Sequence, residues 1–216
     1  MDADAVEIRV AGCLLEKQRT TPDAYPLSLN ALRLACNQST NRDPVVEYDE
    51  ATVVEALRRT ALRGWTRLAS GAGNRARKYR HLLDEAFDAD EAELALLAVL
   101  MLRGTQTPGE LKQRAGRLHG FADLAAVHAT LEKLVEREYV ERLPRRPGQK
   151  EERFAHLLGE RAEPDEHLPG AEPGETEERR GPEDRVDRVE RELAELRTQV
   201  RELREALGET TDEPQA

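Results

Sequence analysis

The stretch Leu68-Ala69-Ser70-Gly71-Ala72-Gly73-Asn74-Arg75-Ala76-Arg77-Lys78-Tyr79-Arg80-His81-Leu82-Leu83 has a counterpart later in the chain. A shift of 75 positions places Leu68 on Leu143, Gly73 on Gly148, Arg75 on Lys150, Tyr79 on Phe154 and His81 on His156. The pair Leu82-Leu83 then falls on Leu157-Leu158. Thr21-Pro22 answers to Thr107-Pro108 at an offset of 86, so the first copy holds about eleven extra residues, most of them expected around Asn37 to Tyr48. Periods of this length are too long for a solenoid and predict two small domains of one fold. Their expected extents are residues 1–84 and 85–158.

Each copy reads alike. A first helix rich in aliphatics is predicted over Val6 to Gln18 and again over Glu91 to Arg103, with Asp90 and Glu93 spaced as a capping box. A second helix is predicted over Ser28 to Asn37, and Thr107-Pro108-Gly109-Glu110 supplies N-cap, N1 proline and N3 glutamate for its counterpart. A third begins near Asp49 and buries Val53, Val54, Leu57 and Ala61; its counterpart begins near Asp123 and buries Val127, Leu131, Leu134 and Val135. Two short strands follow, Trp65–Ser70 with Ala76–Leu82, and Tyr139–Pro144 with Glu151–Leu157. Three helices and a β-hairpin are the layout of a winged helix-turn-helix domain. The expected fold class is therefore mainly α with small β-hairpins (α+β), as two tandem winged helices.

Beyond the second copy the composition changes. Residues 159–181 are rich in proline, glycine and glutamate with one large aliphatic, Leu168, and should form a disordered acidic linker. A helix is then predicted over residues 182–208, followed by a short tail over 209–216. Val186, Val189, Leu193, Leu196, Val200, Leu203 and Leu207 repeat at alternating spacings of 3 and 4, the seam of a coiled coil that would pair two chains. An amphipathic helix folded back on its own domain is the competing reading. Opposite charges flank the seam at Arg185 with Glu190 and Glu192 with Arg197, which suits a parallel homodimer.

The formal net charge of −10 is not spread evenly. Residues 1–158 contain 24 basic and 24 acidic side chains, so the whole imbalance lies beyond them and says nothing against an anionic partner for the first part. The one unbroken apolar run, Leu94 to Leu102, is too short to span a bilayer. The start, Met1-Asp2-Ala3-Asp4, is acidic where a secretory leader is basic. A cytoplasmic protein without membrane partners is the expectation.

Signals of catalysis are weak. His81, His119, His128, His156 and His167 show no metal-ligand spacing, and two cysteines, Cys13 and Cys36, cannot build a four-thiolate site. Cys13 reads as a small core residue. Gly71-Ala72-Gly73 leads into a strand and lacks the Gly-Lys-Ser/Thr ending of a phosphate loop, so these glycines serve a turn. No enzyme, cofactor or metal is expected.

The basic run is the stronger signal. Arg58, Arg59, Arg63, Arg67, Arg75, Arg77, Lys78 and Arg80 occur between Ala56 and Leu83 without an acid. Arg58, Arg59 and Arg63 fall on the third helix, and Arg75, Arg77 and Lys78 on the hairpin; these six are the candidate DNA contacts. Asp49, Glu50 and Glu55 at the start of that helix count against base reading there. In the second copy Arg145, Arg146, Lys150 and Arg153 are offset by Glu141, Glu151 and Glu152. The polar insert Asn37-Gln38-Ser39-Thr40-Asn41-Arg42-Asp43-Pro44 reads as a loop that caps itself, with a recognition loop as the alternative.

Several motifs also resemble one bacterial family. Gly12-Cys13-Leu14-Leu15-Glu16-Lys17-Gln18, Thr20-Thr21-Pro22, Tyr25-Pro26-Leu27-Ser28, Ala35-Cys36-Asn37-Gln38 and Asn41-Arg42 are similar to the YceH family. Leu102-Arg103-Gly104, Gln106 to Leu111 and Arg75 to Tyr79 fit it too. The resemblance covers roughly residues 5–158 and implies tandem winged helices with a carboxy-terminal helical segment. It brings no established catalytic or binding residues. The expected function is a non-catalytic, homodimeric double-stranded DNA-binding protein of transcriptional or chromosome-associated type, and the alternative is a protein–protein adaptor built on the same scaffold.

Overall fold

The computed structural model describes residues 3–69, 77–144 and 151–159. In chain order these form α1 (Ala5–Thr20), a 3-10 turn (Pro22–Ala24), β1 (Leu27–Ser28), α2 (Leu29–Cys36), α3 (Glu50–Leu62), β2 (Thr66–Ala69) and β3 (Lys78–His81). There follow α4 (Leu83–Phe87), α5 (Glu91–Arg103), α6 (Pro108–Ala115), α7 (Leu124–Glu136), β4 (Val140–Leu143) and β5 (Arg153–His156). The architecture is mixed helix with small antiparallel sheets, and the order of three helices then two strands occurs twice. The residues expected to form the acidic tail, the coil and both hairpin turns lie outside those described.

Side-chain caps set the helix starts. Asp4 accepts from the Glu7 amide at 2.8 Å while Glu7 accepts from the Asp4 amide at 3.0 Å, and Asp90 with Glu93 repeats this box at 2.9 and 2.8 Å. Thr107 and Glu110 close a third one at the start of α6. Ser28, Asp49 and Asp123 cap α2, α3 and α7. Each such cap contributes about 1 kcal/mol and fixes where its helix begins.

Backbone pairing corrects the alignment of the two copies. Thr21 ends α1 and Pro22 opens the 3-10 turn, whereas Ser28 holds the N-cap position that Thr107 holds in the second half. Leu27 of β1 pairs with Tyr79, and a single bridge from Gln106 to Phe154 answers it. The additional residues of the first half therefore divide between the α1–β1 and α2–α3 connections. In the hairpins, Leu68 stands opposite Tyr79 and Arg142 opposite Phe154, so Leu68 corresponds to Arg142 and not to Leu143. Register, which decides the face of every side chain, overrides the local similarity of sequence.

The two halves share their cores. α5 is buried at every residue from Glu93 to Leu102, and α1 at every residue from Glu7 to Leu15. The helices lie so close that a Cβ on Gly12 would stand 3.1 Å from Leu102 and Met101. One apolar cluster joins α5 and the second half to Ile8, Ala11, Leu15, Trp65, Leu83 and Phe87; the other joins Val10, Leu14, Leu32, Val53 and Leu57 to Leu102. Each fully buried leucine contributes about 1.5–3 kcal/mol, so α5 holds both halves together. α4, absent from the sequence reading, straddles the expected boundary after residue 84 and stacks Phe87 edge-on against Trp65 at 5.4 Å.

The third helices present a narrower stripe than expected. α3 buries Val53, Ala56, Leu57 and Thr60, while Val54 is 46% exposed and Ala61 is exposed. Thr60 is tolerated inside because its hydroxyl bonds the Ala56 carbonyl at 2.9 Å and the Thr66 hydroxyl at 2.8 Å. α7 buries Val127, Thr130, Leu131 and Leu134, with Val135 half-buried.

Candidate nucleic-acid interface

Arg58 and Arg59 of α3 and Arg63 at its C-cap all have carboxylate partners. Arg58 makes a two-pronged pair with Glu55, at 2.8 and 3.0 Å, on an exposed turn. The Arg58 hydrogen bond holds the Glu55 carboxyl below its usual range. Arg59 pairs with Asp4 at 2.6 Å, and Arg63 pairs with the buried Glu7 at 2.9 Å while its guanidinium lies 5.8 Å from the Trp65 ring. Arg59 and Arg63 thus tie the end of α3 to the capping box of α1. The second half repeats the arrangement: Lys133 pairs with Asp90 at 3.7 Å, Arg137 with Glu93 at 3.1 Å, and Arg137 lies 5.0 Å from the Tyr139 ring. Contacts made identically in both halves belong to the fold.

The hairpin differs. Arg67 of β2 stands directly opposite Arg80 of β3, and Lys78 lies two residues along the same face. Thr66 and His81 take the other face and are buried, and Tyr79 packs there against the first-half core. Like charges opposed across a ladder are destabilising when nothing offsets them. Among the described residues, Arg67, Arg77, Lys78 and Arg80 have no carboxylate partner. Arg77 is exposed at the foot of β3, and Arg75 lies outside the described residues. Arg67 and Arg80 belong to the basic run of the sequence, but only the strand register sets them against each other.

The polar insert is a folding device. Arg42, its side chain fully buried, donates to Glu16 at 2.6 and 3.1 Å, to the Ala35 carbonyl at 3.0 Å and to Gln38 Oε1 at 2.8 Å. Burial works against the Arg42 charge, and the Glu16 bond together with the Glu16 charge and the neighbouring Cys13 and Cys36 outweighs it, so the Arg42 pKa is raised. Asn37 bonds both backbone groups of Tyr48, at 2.8 and 2.9 Å, and the Asp43 amide reaches the Leu102 carbonyl at 2.9 Å. The loop therefore caps itself and fastens the first half to α5.

The histidines at the strand ends are core residues. His81 Nε2 meets Gln18 Oε1 at 2.5 Å, its Nδ1 accepts from the Leu83 amide, and its backbone N–H donates to the Tyr25 hydroxyl at 2.7 Å. Burial pushes the pKa of both His81 and His156 down to about 4. Among the described residues no group of three or more His, Cys, Asp or Glu side chains is placed to hold a metal ion, and no helix is long and apolar enough to cross a membrane. The seam residues Val186, Val189, Leu193, Leu196, Val200, Leu203 and Leu207 lie outside the described residues.

Comparison with known proteins reaches across nearly the whole chain. The family profile described as "Protein of unknown function, DUF480" matches residues 3–149. A UPF0502 protein of Geobacter metallireducens is 50% identical over 194 residues, covering 88% of each chain. One from Pelobacter propionicus is 47% identical over 207 residues, or 94% of each. The UPF0502 protein YceH of Salmonella paratyphi B is 45% identical over 217 residues, covering 95% of this chain and 97% of its own. Extended identity of this kind, with the capping boxes, the Glu16–Arg42 pair and the shared α1–α5 core all inside the matched region, makes this chain a member of the DUF480/UPF0502 family that includes YceH.

Proposed function

We propose that this protein binds double-stranded DNA through the β2–β3 hairpin of its first half, as a non-catalytic cytoplasmic protein. In this reading each half is a winged helix, the hairpin is the wing, and the seam from Val186 to Leu207 pairs two chains as a coiled coil. The observation that carries it is the Arg67–Arg80 cross-strand pair with Lys78 beside it, cations on one face without a counter-charge among the described residues. A phosphate backbone supplies the missing negative charge. Arg77 extends the patch, and Arg75, a contact expected from the sequence, lies outside the described residues. Arg59 and Arg63 leave the contact set because the fold uses them, and Arg58 stays only as a rim contact that must first part from Glu55. With Asp49 committed to its cap and Glu50 and Glu55 beside it, α3 does not suit base edges. Backbone binding of low sequence preference is the result.

The test is anisotropy of a labelled random-sequence duplex against salt, using the full chain. Three phosphate contacts give a slope of about −3 in log K against log salt. Triple reversal, Arg67→Glu, Lys78→Glu and Arg80→Glu, removes the binding. Absence of binding at low salt overturns the reading and leaves the adaptor. That second reading draws on one observation: the outward side of α3 exposes Leu62 at 77% and Val54 at 46%, apolar surface that suits a protein partner.

A further inference from the structure

The two halves differ at the start of their second helix, beside a cation that the last strand of each half places there. Leu27 pairs with Tyr79 and Gln106 with Phe154, so Ser28 and Lys78 stand where Thr107 and Arg153 stand in the second half. Ser28 and Thr107 are the N-caps of α2 and α6, helices of equal length. The third residue of α6 is Glu110, whose carboxylate accepts from the Thr107 amide at 2.8 Å and lies 3.5 Å from Arg153 Nη2. The third residue of α2 is Ala31, and the first turn of α2 holds no acidic residue. Lys78 therefore lacks the carboxylate that its counterpart has, and among the described residues no other replaces it. Ser28 stands directly across from Lys78, on the sheet face that also carries Arg80 and Arg67. Ser28 Oγ takes the Ala31 amide at 3.3 Å, while the amides of Leu29 and Asn30 sit at the positive end of the helix. Arg33, three residues along α2, donates to the exposed Asn30 at 3.1 Å and has no carboxylate partner among the described residues.

We infer that a backbone phosphate of duplex DNA takes, in the first half, the place that the Glu110 carboxylate takes in the second. It is held by the Lys78 ammonium and by the start of α2 around Ser28 and Asn30. The site presupposes the DNA-binding reading of the hairpin and extends it to a helix that reading does not use. Its physical basis is the exchange of one anion for another. Carboxylate and phosphate oxygens make the same charge-assisted hydrogen bonds to a cationic side chain and to the amides of a helix start. In the second half the anion belongs to the chain, so Arg153 is answered and the place is filled. In the first half Ala31 ends at its Cβ: the fold supplies the cation and the helix start and leaves the anion to a ligand. A phosphate bound there lies beside the Arg67–Arg80 pair, so one nucleic-acid strand can engage α2 and the hairpin together.

Ala31→Glu in the full chain tests this by copying the second half's own anion into the first. The substitution completes a capping box with Ser28 and gives Lys78 an internal partner. Duplex binding should weaken about tenfold at low salt, and the salt slope should fall by about one. Ala31→Gln, which forms the same box without the charge, should bind as the wild type does. In a Lys78→Gln background Ala31→Glu should have no further effect on the slope, whereas general repulsion of DNA would simply add. Equal binding by the Glu and Gln variants, or additive effects of Ala31→Glu and Lys78→Gln, overturns the site and leaves the hairpin reading standing. Should Ala31→Glu fail to fold, Asn30→Asp brings the charge to the exposed neighbouring position and is compared with the wild type in the same way. If no duplex binds at low salt, the hairpin reading falls, and inorganic phosphate then decides the site. Against chloride at equal ionic strength it should shift the Leu29 and Asn30 amide resonances of the full chain, and no such shift overturns this inference as well.

Discussion

The hairpin of the first half and the hairpin of the second have the same pairing and opposite electrostatics. Where Arg67 faces Arg80, the second half sets Glu141 against the buried Ala155. Where Lys78 stands without a carboxylate partner among the described residues, Arg153 bonds the Thr105 carbonyl at 3.2 Å and lies 3.5 Å from Glu110. Arg142 is held by Glu132 and Glu152 and lies 5.7 Å from the Phe154 ring. The ties from the third helix to the first helix's capping box are, by contrast, alike in both halves. What both halves keep, folding requires; what only one keeps is free to serve a partner. The basic face of the first hairpin is the clearest feature of the second kind.

Acid offers the largest effect by which to probe the comparison. His81 and His156 are neutral in the fold with pKa values near 4, below the ordinary 6.5. The unfolded chain therefore binds the extra protons, so the stability from these groups is complete above pH ~6.5 and is lost as pH falls toward ~4. Each shift corresponds to about 3 kcal/mol. His156→Leu, which removes a ring whose Nδ1 has no hydrogen-bond partner among the described residues, should flatten the decline between pH 7 and 4.5 in urea denaturation. His81→Leu should cost stability at pH 7 because it also breaks the bond to Gln18. Equal behaviour of the two would break this distinction between the halves.

Charge reversal at Arg67 and Arg80 should weaken duplex binding on the order of a hundredfold at low salt, while reversal at Arg142 and Arg153 should change it by no more than about twofold. If the second pair matters as much as the first, the asymmetry between hairpins has no functional meaning. Arg63→Met and Arg137→Met should each cost about 2 kcal/mol in urea denaturation, since each strands a buried glutamate, and leave the salt slope of binding unchanged. A changed slope for Arg63→Met alone would return that residue to the interface. Arg58→Ala should be the mildest, within about 0.5 kcal/mol of stability, because its partner Glu55 is exposed.

Much of the scaffold was legible in the chain. Asp90 with Glu93 and Thr107 with Glu110 announce their helix starts through local chemistry, and α5 spans the residues its apolar run implies. The short α4 was not legible, because five residues give no period to read and only Leu83 and Phe87 finding a core stabilises them. Arg59 and Arg63 look available for DNA in the sequence because their partners, Asp4 and Glu7, lie more than fifty residues away along the chain. The insert around Arg42 carried turn-forming residues but no sign that Glu16 and Gln38 would meet it.

The sequence by itself determined where the capped helices start, which residues α5 spans, and that the layout occurs twice. These follow from hydrogen bonds and apolar periods spanning a few residues. Only the tertiary structure decided which of the many arginines are satisfied within the fold and which remain available. That depends on distance through space between remote segments and on strand register, since a Coulomb interaction is set by where two charges end up and not by how the chain orders them.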